Sequence, residues 1–308
     1  MGRGARKPQG FRDIDGVLLL DKPSGISSNK ALQITRFLFE ANKAGHTGSL
    51  DPLATGLLPV CFGEATKFSA YLLEASKTYR AVCQLGKTTT TGDAEGEVTS
   101  ECALQVKVDD IASVLGQFTG CIDQIPPMHS AVKHKGQRLY HLARKGREVE
   151  RKPRKIEIHS LQMVSLKGSL LEIDVFCSKG TYIRTLAEDI GEALGCGAYL
   201  ANLRRTGVDP FWQETSYSIE QLRELSEQGL GQLDHRLLPV NSILGDLPEF
   251  VLDSTAADFL KQGQAVRVDN TSLSGMLSLV LENGEFIGIG EASQDGKISP
   301  KRLMNTAR

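Results

Sequence analysis

A chain of 308 residues has room for one large domain or two unequal ones around a real apolar core. Its 36 basic and 37 acidic side chains nearly cancel, so a nucleic-acid partner has to be sought in local clusters of charge. Six cysteines without a C-x-x-C pair argue against a disulfide framework or a zinc site, and the absence of a long apolar run argues against a membrane span; reduced, mostly buried thiols in a cytoplasmic protein are expected.

Residues 1–12 form a basic, glycine-rich stretch expected to be a mobile tail. Gly16–Leu20 predicts a short buried strand, closed by D-K-P-S-G at Asp21–Gly25. Ser27 or Ser28 can cap a helix reaching about Ala41. Ala44–Gly56, with three glycines and a proline, predicts a shaped loop docked on an apolar strand at Leu57–Phe62. A helix near Ala65–Leu73 and a strand over Tyr79–Leu85 follow, then a polar, turn-rich excursion at Thr88–Gly96. Val108–Phe118 has an amphipathic helical pattern, broken by Ile125-Pro126-Pro127.

Leu170–Cys177 alternates, with Leu171, Ile173, Val175 and Cys177 on one face, as a strand with one polar side does. Tyr182–Leu194 carries a helical apolar stripe that Gly195 ends. Past a boundary near Asn241–Pro248 come short strands at Gln264–Val268, Gly275–Leu281 and Glu285–Glu291, the last two joined by the hairpin signal Asn283-Gly284. Strands and helices interleave without regular alternation, which predicts an α+β fold with a mixed, mostly antiparallel sheet and a small C-terminal all-β module.

The chemistry-bearing segment is A-G-H-T-G-S-L-D-P-L-A-T-G, with His46, Asp51 and three hydroxyls on a loop pinned to a buried strand. By residue types alone, Asp51 could equally do no more than open a turn before Pro52. Between Lys133 and Lys155, ten Lys or Arg face only Glu148 and Glu150, a net of +8 against −9 for the remainder of the chain. That segregation is the footprint that phosphate binding needs. Lys133, Arg144, Lys145, Arg147, Arg151, Lys152, Arg154 and Lys155 are the candidate RNA contacts. The histidines at 129, 134 and 141 do not have the spacing of a metal site.

The ungapped run G-H-T-G-S-L-D-P-L-A-T-G-L-L-P-V resembles the signature of the TruB family, the bacterial tRNA pseudouridine(55) synthases. K-T-Y at Lys77–Tyr79, C-S-K-G-T-Y-I-R at Cys177–Arg184 and L-R-R at Leu203–Arg205 resemble further family motifs in the family's order, covering roughly Gly16 to Gly207. The resemblance implies a pseudouridine synthase core at 13–245, with a basic RNA clamp at about 126–155, and a PUA-like RNA-binding barrel at 246–308. It implies isomerisation of uridine 55 in the TΨC loop, with Asp51 as nucleophile, Arg184 as its ionic partner and Tyr79 at the base. His46 matches the residue that takes the place of the flipped base, while Tyr182 and Leu203 match the pocket wall.

Isomerisation changes no redox state and transfers no group, so neither cofactor nor metal is expected. The expected partner is a tRNA T stem-loop, bound by a monomer without a guide RNA. The alternative function is a tRNA-binding or RNA-folding factor whose isomerase activity is secondary. The guide-RNA-dependent archaeal and eukaryotic relatives share part of the central motif, but the L-A-T-G-L-L-P-V wording and the short chain favour the stand-alone type.

Overall fold

The computed structural model describes residues 10–130, 132–143, 145–268 and 273–305. Most of the expected tail at 1–12 and the candidate Arg144 lie outside them. Arg12, at the end of that tail, is held in place: its guanidinium binds both carboxylate oxygens of Asp234 at 2.6 Å, and its N–H donates to the Glu40 carbonyl.

The chain opens with β1 (Gly16–Lys22), buried along its length, and α1 (Ser28–Leu38), whose N-terminus Ser27 caps by accepting from the Lys30 N–H. The expected loop at Ala44–Gly56 is shorter than its turn formers suggest. Its first residues form β2 (Ala44–His46) and its last two begin β3 (Thr55–Phe62). The expected helix at Ala65–Leu73 is likewise two pieces, a 3-10 turn at Gly63–Lys67 and α2 (Ser69–Glu74), hinged at Phe68. Next come β4 (Lys77–Leu85), a hairpin of β5 (Lys87–Thr89) and β6 (Val98–Glu101), α3 (Val108–Gln117) and β7 (Gly120–Gln124).

Within the basic segment lie a small hairpin, β8 (Lys133–His134) and β9 (Gln137–Arg138), and the one-turn helix α4 (Leu139–Ala143). Two long strands follow, β10 (Arg154–Lys167) and β11 (Leu170–Cys177), then α5 (Ile183–Ala193) and β12 (Ala198–Val208). The central part closes with β13 (Tyr217–Ser218), α6 (Ile219–Glu227) and α7 (Leu230–Asp234).

Among the described residues nine strands form one mixed sheet in the order β13-β1-β3-β12-β4-β11-β10-β7, with β2 on β3. Only the β1–β13 and β3–β12 pairs in it are parallel. Each inward side chain of β11, from Leu171 to Cys177, packs into one core with Ile183, Leu186, Ala187 and Ile190 of α5. The helix therefore packs on the face of the sheet that carries these side chains, and Tyr182, just before it, is tied to Gln124 of β7.

The C-terminal part comprises β14 (Glu249–Leu252), α8 (Ser254–Lys261), β15 (Val266–Arg267), β16 (Gly275–Leu281), β17 (Phe286–Ala292) and β18 (Lys297–Leu303). Its five strands run β14-β16-β17-β18-β15, and within the described residues the end strands β14 and β15 do not pair. It is fastened to the central part: Phe286 meets Phe68 edge-on at 5.4 Å, Glu64 accepts from the Asn305 N–H at 2.6 Å, and Lys67 donates to the Leu303 carbonyl. Among the described residues no helix is long and apolar enough to cross a membrane.

Candidate active site

The loop that bears Asp51 is bonded to the body at almost every residue. The Thr47 N–H donates to the Pro59 carbonyl, and the Ser28 hydroxyl holds both backbone groups of Leu50, at 2.7 and 3.0 Å. The Pro52 carbonyl accepts from the Gly25 N–H and from Lys22 Nζ, Leu53 from Ser24, and Leu203 takes the Thr55 hydroxyl. Lys22 has no exposed surface at all; its ammonium spends its donors on the Pro23, Ile26 and Pro52 carbonyls, and burial lowers its pKa to about 8. Gly56 has φ +99° and any Cβ there would lie 2.2 Å from the Arg205 carbonyl, so only glycine lets β12 run this close to the loop.

Asp51 does open a turn, since its carbonyl accepts from the Ala54 N–H. Its side chain takes no part in that turn. It faces solvent, 48% exposed, and its Oδ2 accepts from Arg184 Nη2. Arg184 is 7% exposed and sits in the first turn of α5, where the helix dipole disfavours a cation. A second carboxylate compensates: Asp93 Oδ2 lies 3.1 Å from Arg184 Nη1, and the Asp93 side chain is only 3% exposed.

Asp93 is itself fixed, its Oδ1 accepting from the Thr91 hydroxyl at 2.6 Å and from the Glu95 N–H at 3.1 Å. The Thr91 carbonyl also accepts from Arg184 Nη1. Leaving such a guanidinium with one partner fewer costs about 3–5 kcal/mol, so Asp93 decides whether Arg184 can stay buried and still reach Asp51. Four residues along α5, burial raises the Glu188 pKa while the Arg184 charge pulls it back.

Tyr79 on β4 is half-buried and stands directly opposite Arg205 of β12, with its other flank against Val175 of β11. Burial raises its phenol pKa and the Arg205 charge pulls it down. The first residue of α5 is preceded by Tyr182, whose backbone N–H and carbonyl are both held by the Gln124 side-chain amide, at 2.8 and 3.0 Å. The Asp51 charge reaches both phenols. Leu203 is buried in the core against which the Tyr79 ring packs. His46 on β2 has a buried Nδ1 without a partner, and burial, then Arg205, lower its pKa and keep the ring neutral near pH 7. The loop, the α5 start and the β4–β12 pair thus come together around Asp51.

The basic candidates are spread over more than one element. Lys133, Lys145, Arg147 and Lys152 are exposed on the hairpin and the turns around it. Arg154 and Lys155 are exposed too, but belong to β10 and pair with β7 in the main sheet. Arg151 is half-buried and donates to the Pro126 carbonyl at 3.1 Å. Arg151 and Arg154 lie near enough to the site for their charges to act on Glu188 and Tyr182.

Two residues of this site escape the sequence reading, Asp93 and Gln124, and Arg205 appears there only as the end of the L-R-R motif, without a role. The T-T-T-T-G-D-A-E-G wording around Asp93 looks like an ordinary polar turn. Gln124 shows its role only through a backbone 58 positions away. Among the described residues no group of three or more His, Cys, Asp or Glu is disposed to hold a metal.

Three family models match in succession: TruB family pseudouridylate synthase (N terminal domain) over 36–183, tRNA pseudouridylate synthase B C-terminal domain over 184–245, and Pseudouridine synthase II TruB, C-terminal over 248–304. The fold is shared with a Cbf5-Nop10-Gar1 complex, at TM-score 0.71 and 25% identity over 96% of this chain and 85% of that one. An H/ACA RNP bound to a substrate RNA containing 2'-deoxyuridine gives TM-score 0.71 at 23% identity, over 95% and 86% of the chains. The molecule is a pseudouridine synthase.

Among full-length relatives, tRNA pseudouridine synthase B of Nitrosococcus oceani is 52% identical over 97% of both chains. That of Pseudomonas fluorescens is 52% identical over 96% of this chain and 97% of its own. The chain belongs to the TruB family.

Proposed function

We propose that this enzyme isomerises uridine 55 in the TΨC loop of tRNA, with Asp51 as the nucleophile. The observation that carries the reading is a solvent-facing carboxylate gripped by a buried arginine that a second carboxylate backs, in a chain half identical to enzymes named for tRNA. In the reaction the C1′–N1 bond breaks, the uracil turns, and a C1′–C5 bond forms. The proton on C5 leaves and N1 carries one at the end, so composition and oxidation state are unchanged.

Asp51 attacks the substrate and holds it covalently while the base turns. Arg184 keeps the carboxylate ionised and aimed. A stacked uridine must first be flipped out, at about a few kcal/mol, and His46, neutral and close to the loop, fills the space it leaves. The Tyr79 ring stacks on the flipped uracil and its hydroxyl serves the proton transfer at C5, with Tyr182 and Leu203 as walls of the pocket.

Exposed Lys133, Lys145, Arg147, Lys152, Arg154 and Lys155, together with Arg151 and with Arg144 outside the described residues, neutralise phosphates of the T stem. The C-terminal sheet extends this RNA surface in the manner of a PUA domain. The enzyme acts as a cytoplasmic monomer without guide RNA. Asp51→Asn keeps the shape and removes the nucleophile: it is expected to bind a T stem-loop RNA as the parent does and to form no pseudouridine in a single turnover. Measurable product from the variant would remove Asp51 from the mechanism.

A further inference from the structure

Arg205 is among the largest side chains wholly enclosed by the fold, at 2% exposure, and within the described residues it has no carboxylate at ion-pair distance. A buried guanidinium without a counter-ion is costly, and an apolar side chain would suit a strand interior better unless the charge has work to do. Two of its five donors are spent on carbonyls, Nε on Leu57 at 2.6 Å and Nη2 on Gly48 at 3.0 Å. Those carbonyls lie on either side of Asp51, so one side chain ties both legs of its loop. Nη1 lies beside Gly48, 3.2 Å from the point a Cβ there would occupy.

Register supplies the other half. Arg205 pairs across β12–β4 with Tyr79 and across β12–β3 with Gly56. Directly opposed residues on one face have Cβ atoms about 4.5–5.5 Å apart, which sets the guanidinium against the phenol. Its charge opposes the upward push that burial exerts on the Tyr79 pKa.

We propose that Arg205 is a positioning residue that couples the Tyr79 hydroxyl to the Asp51 loop, holding the proton-transfer group and the nucleophile in one frame. The phenol has to pass a proton without leaving its stack on the base, and a fixed cation beside it stabilises the phenolate from which that transfer starts or at which it ends. The inference rests on the proposed role of Tyr79. The charged groups facing that phenol are Arg205 on β12 and Asp51 on the loop, with the neutral, buried Cys177 thiol beside it on β11.

A double-mutant cycle in single-turnover rate separates the two ideas. Arg205→Lys keeps the charge but cannot bridge two carbonyls beside the phenol; it is expected to slow the parent about tenfold, equivalent to about 1.4 kcal/mol, and to cost less than about threefold in a Tyr79→Phe background. Equal losses in both backgrounds would make Arg205 a scaffold only and overturn the coupling, with the Tyr79 role intact. A Tyr79→Phe enzyme as fast as the parent would instead overturn the hydroxyl's role, and the Arg205 inference with it.

If Arg205→Lys does not fold, the coupling is read in the Arg205 Nε–H nuclear resonance of the otherwise native chain. Tyr79→Phe is expected to shift it, and an unmoved resonance overturns the proposal.

Discussion

At the scale of single residues, Arg184 is where the site is most constrained. It is buried, it lies at the wrong end of a helix for a cation, and it has two carboxylates to satisfy. Asp51 alone leaves it poorly compensated, because that side chain is half exposed. Asp93→Asn should therefore leave RNA binding near the parent's and lower the single-turnover rate by about 100-fold, the order that misplacement of a catalytic group produces. An unchanged rate in a folded variant would show that Arg184 needs no second anchor.

His46 allows flipping to be separated from chemistry. His46→Ala is expected to slow full tRNA more than a destabilised stem-loop whose uridine is already loosely stacked. Equal losses on both would place His46 on the bound base. The T-G-S-L-D-P wording made Asp51 legible in the sequence, whereas Asp93 was not, because a buried aspartate in a polar turn has no period and no spacing to announce it.

At the scale of elements, α2 ends on a buried lysine. Lys77 Nζ donates to the carbonyls of Leu72, Leu73 and Ala75, closing the C-terminal end of the helix and starting β4 two residues before Tyr79. Burial first, then the Arg205 charge, lower its pKa to about 8 from 10.5. Between those values the unfolded chain holds a proton that the folded one has released, so stability from this group rises as pH climbs from about 8 to 10.5 and is least below 8. Melting temperatures of the parent and Lys77→Met across that window should show the rise weakened in the variant; parallel curves would mean that the ammonium is not penalised by burial.

Elements also differ in how readily the sequence betrays them. The alternation of β11 is unbroken, and its burial follows it residue by residue. The neighbouring β10 carries register shifts between Ile158 and Ser160 and between Met163 and Ser165, each of which moves the apolar phase by one and hides the strand. In β12 two such shifts combine with a buried arginine, which a hydropathy pattern assigns to the surface.

At the scale of the whole molecule, the proposed RNA surface is a matter of charge distribution. The chain is nearly neutral overall, yet the exposed basic residues from Lys133 to Lys155 divide between a hairpin with its flanking turns and strand β10 of the main sheet. Neutralising Arg151, Lys152, Arg154 and Lys155 together should weaken tRNA binding and reduce the log–log salt slope by about 0.7–0.9 for each phosphate left without its cation. The rate of bound substrate should stay close to the parent's, and an unaltered slope would turn this surface into a solvated face.

The mixed sheet and the separate C-terminal strands were readable from turn signals and periodicity. The strand order of the second sheet was not, since it depends on pairing between strands far apart in sequence.

The central claim, that Asp51 isomerises one uridine of the tRNA T loop, is tested most directly by mapping pseudouridine in unmodified tRNA after incubation with the purified protein. The account predicts one new pseudouridine, at position 55, formed by the parent and absent with Asp51→Asn although that variant still binds. Modification at another position, or at 55 by the Asn variant, would contradict it.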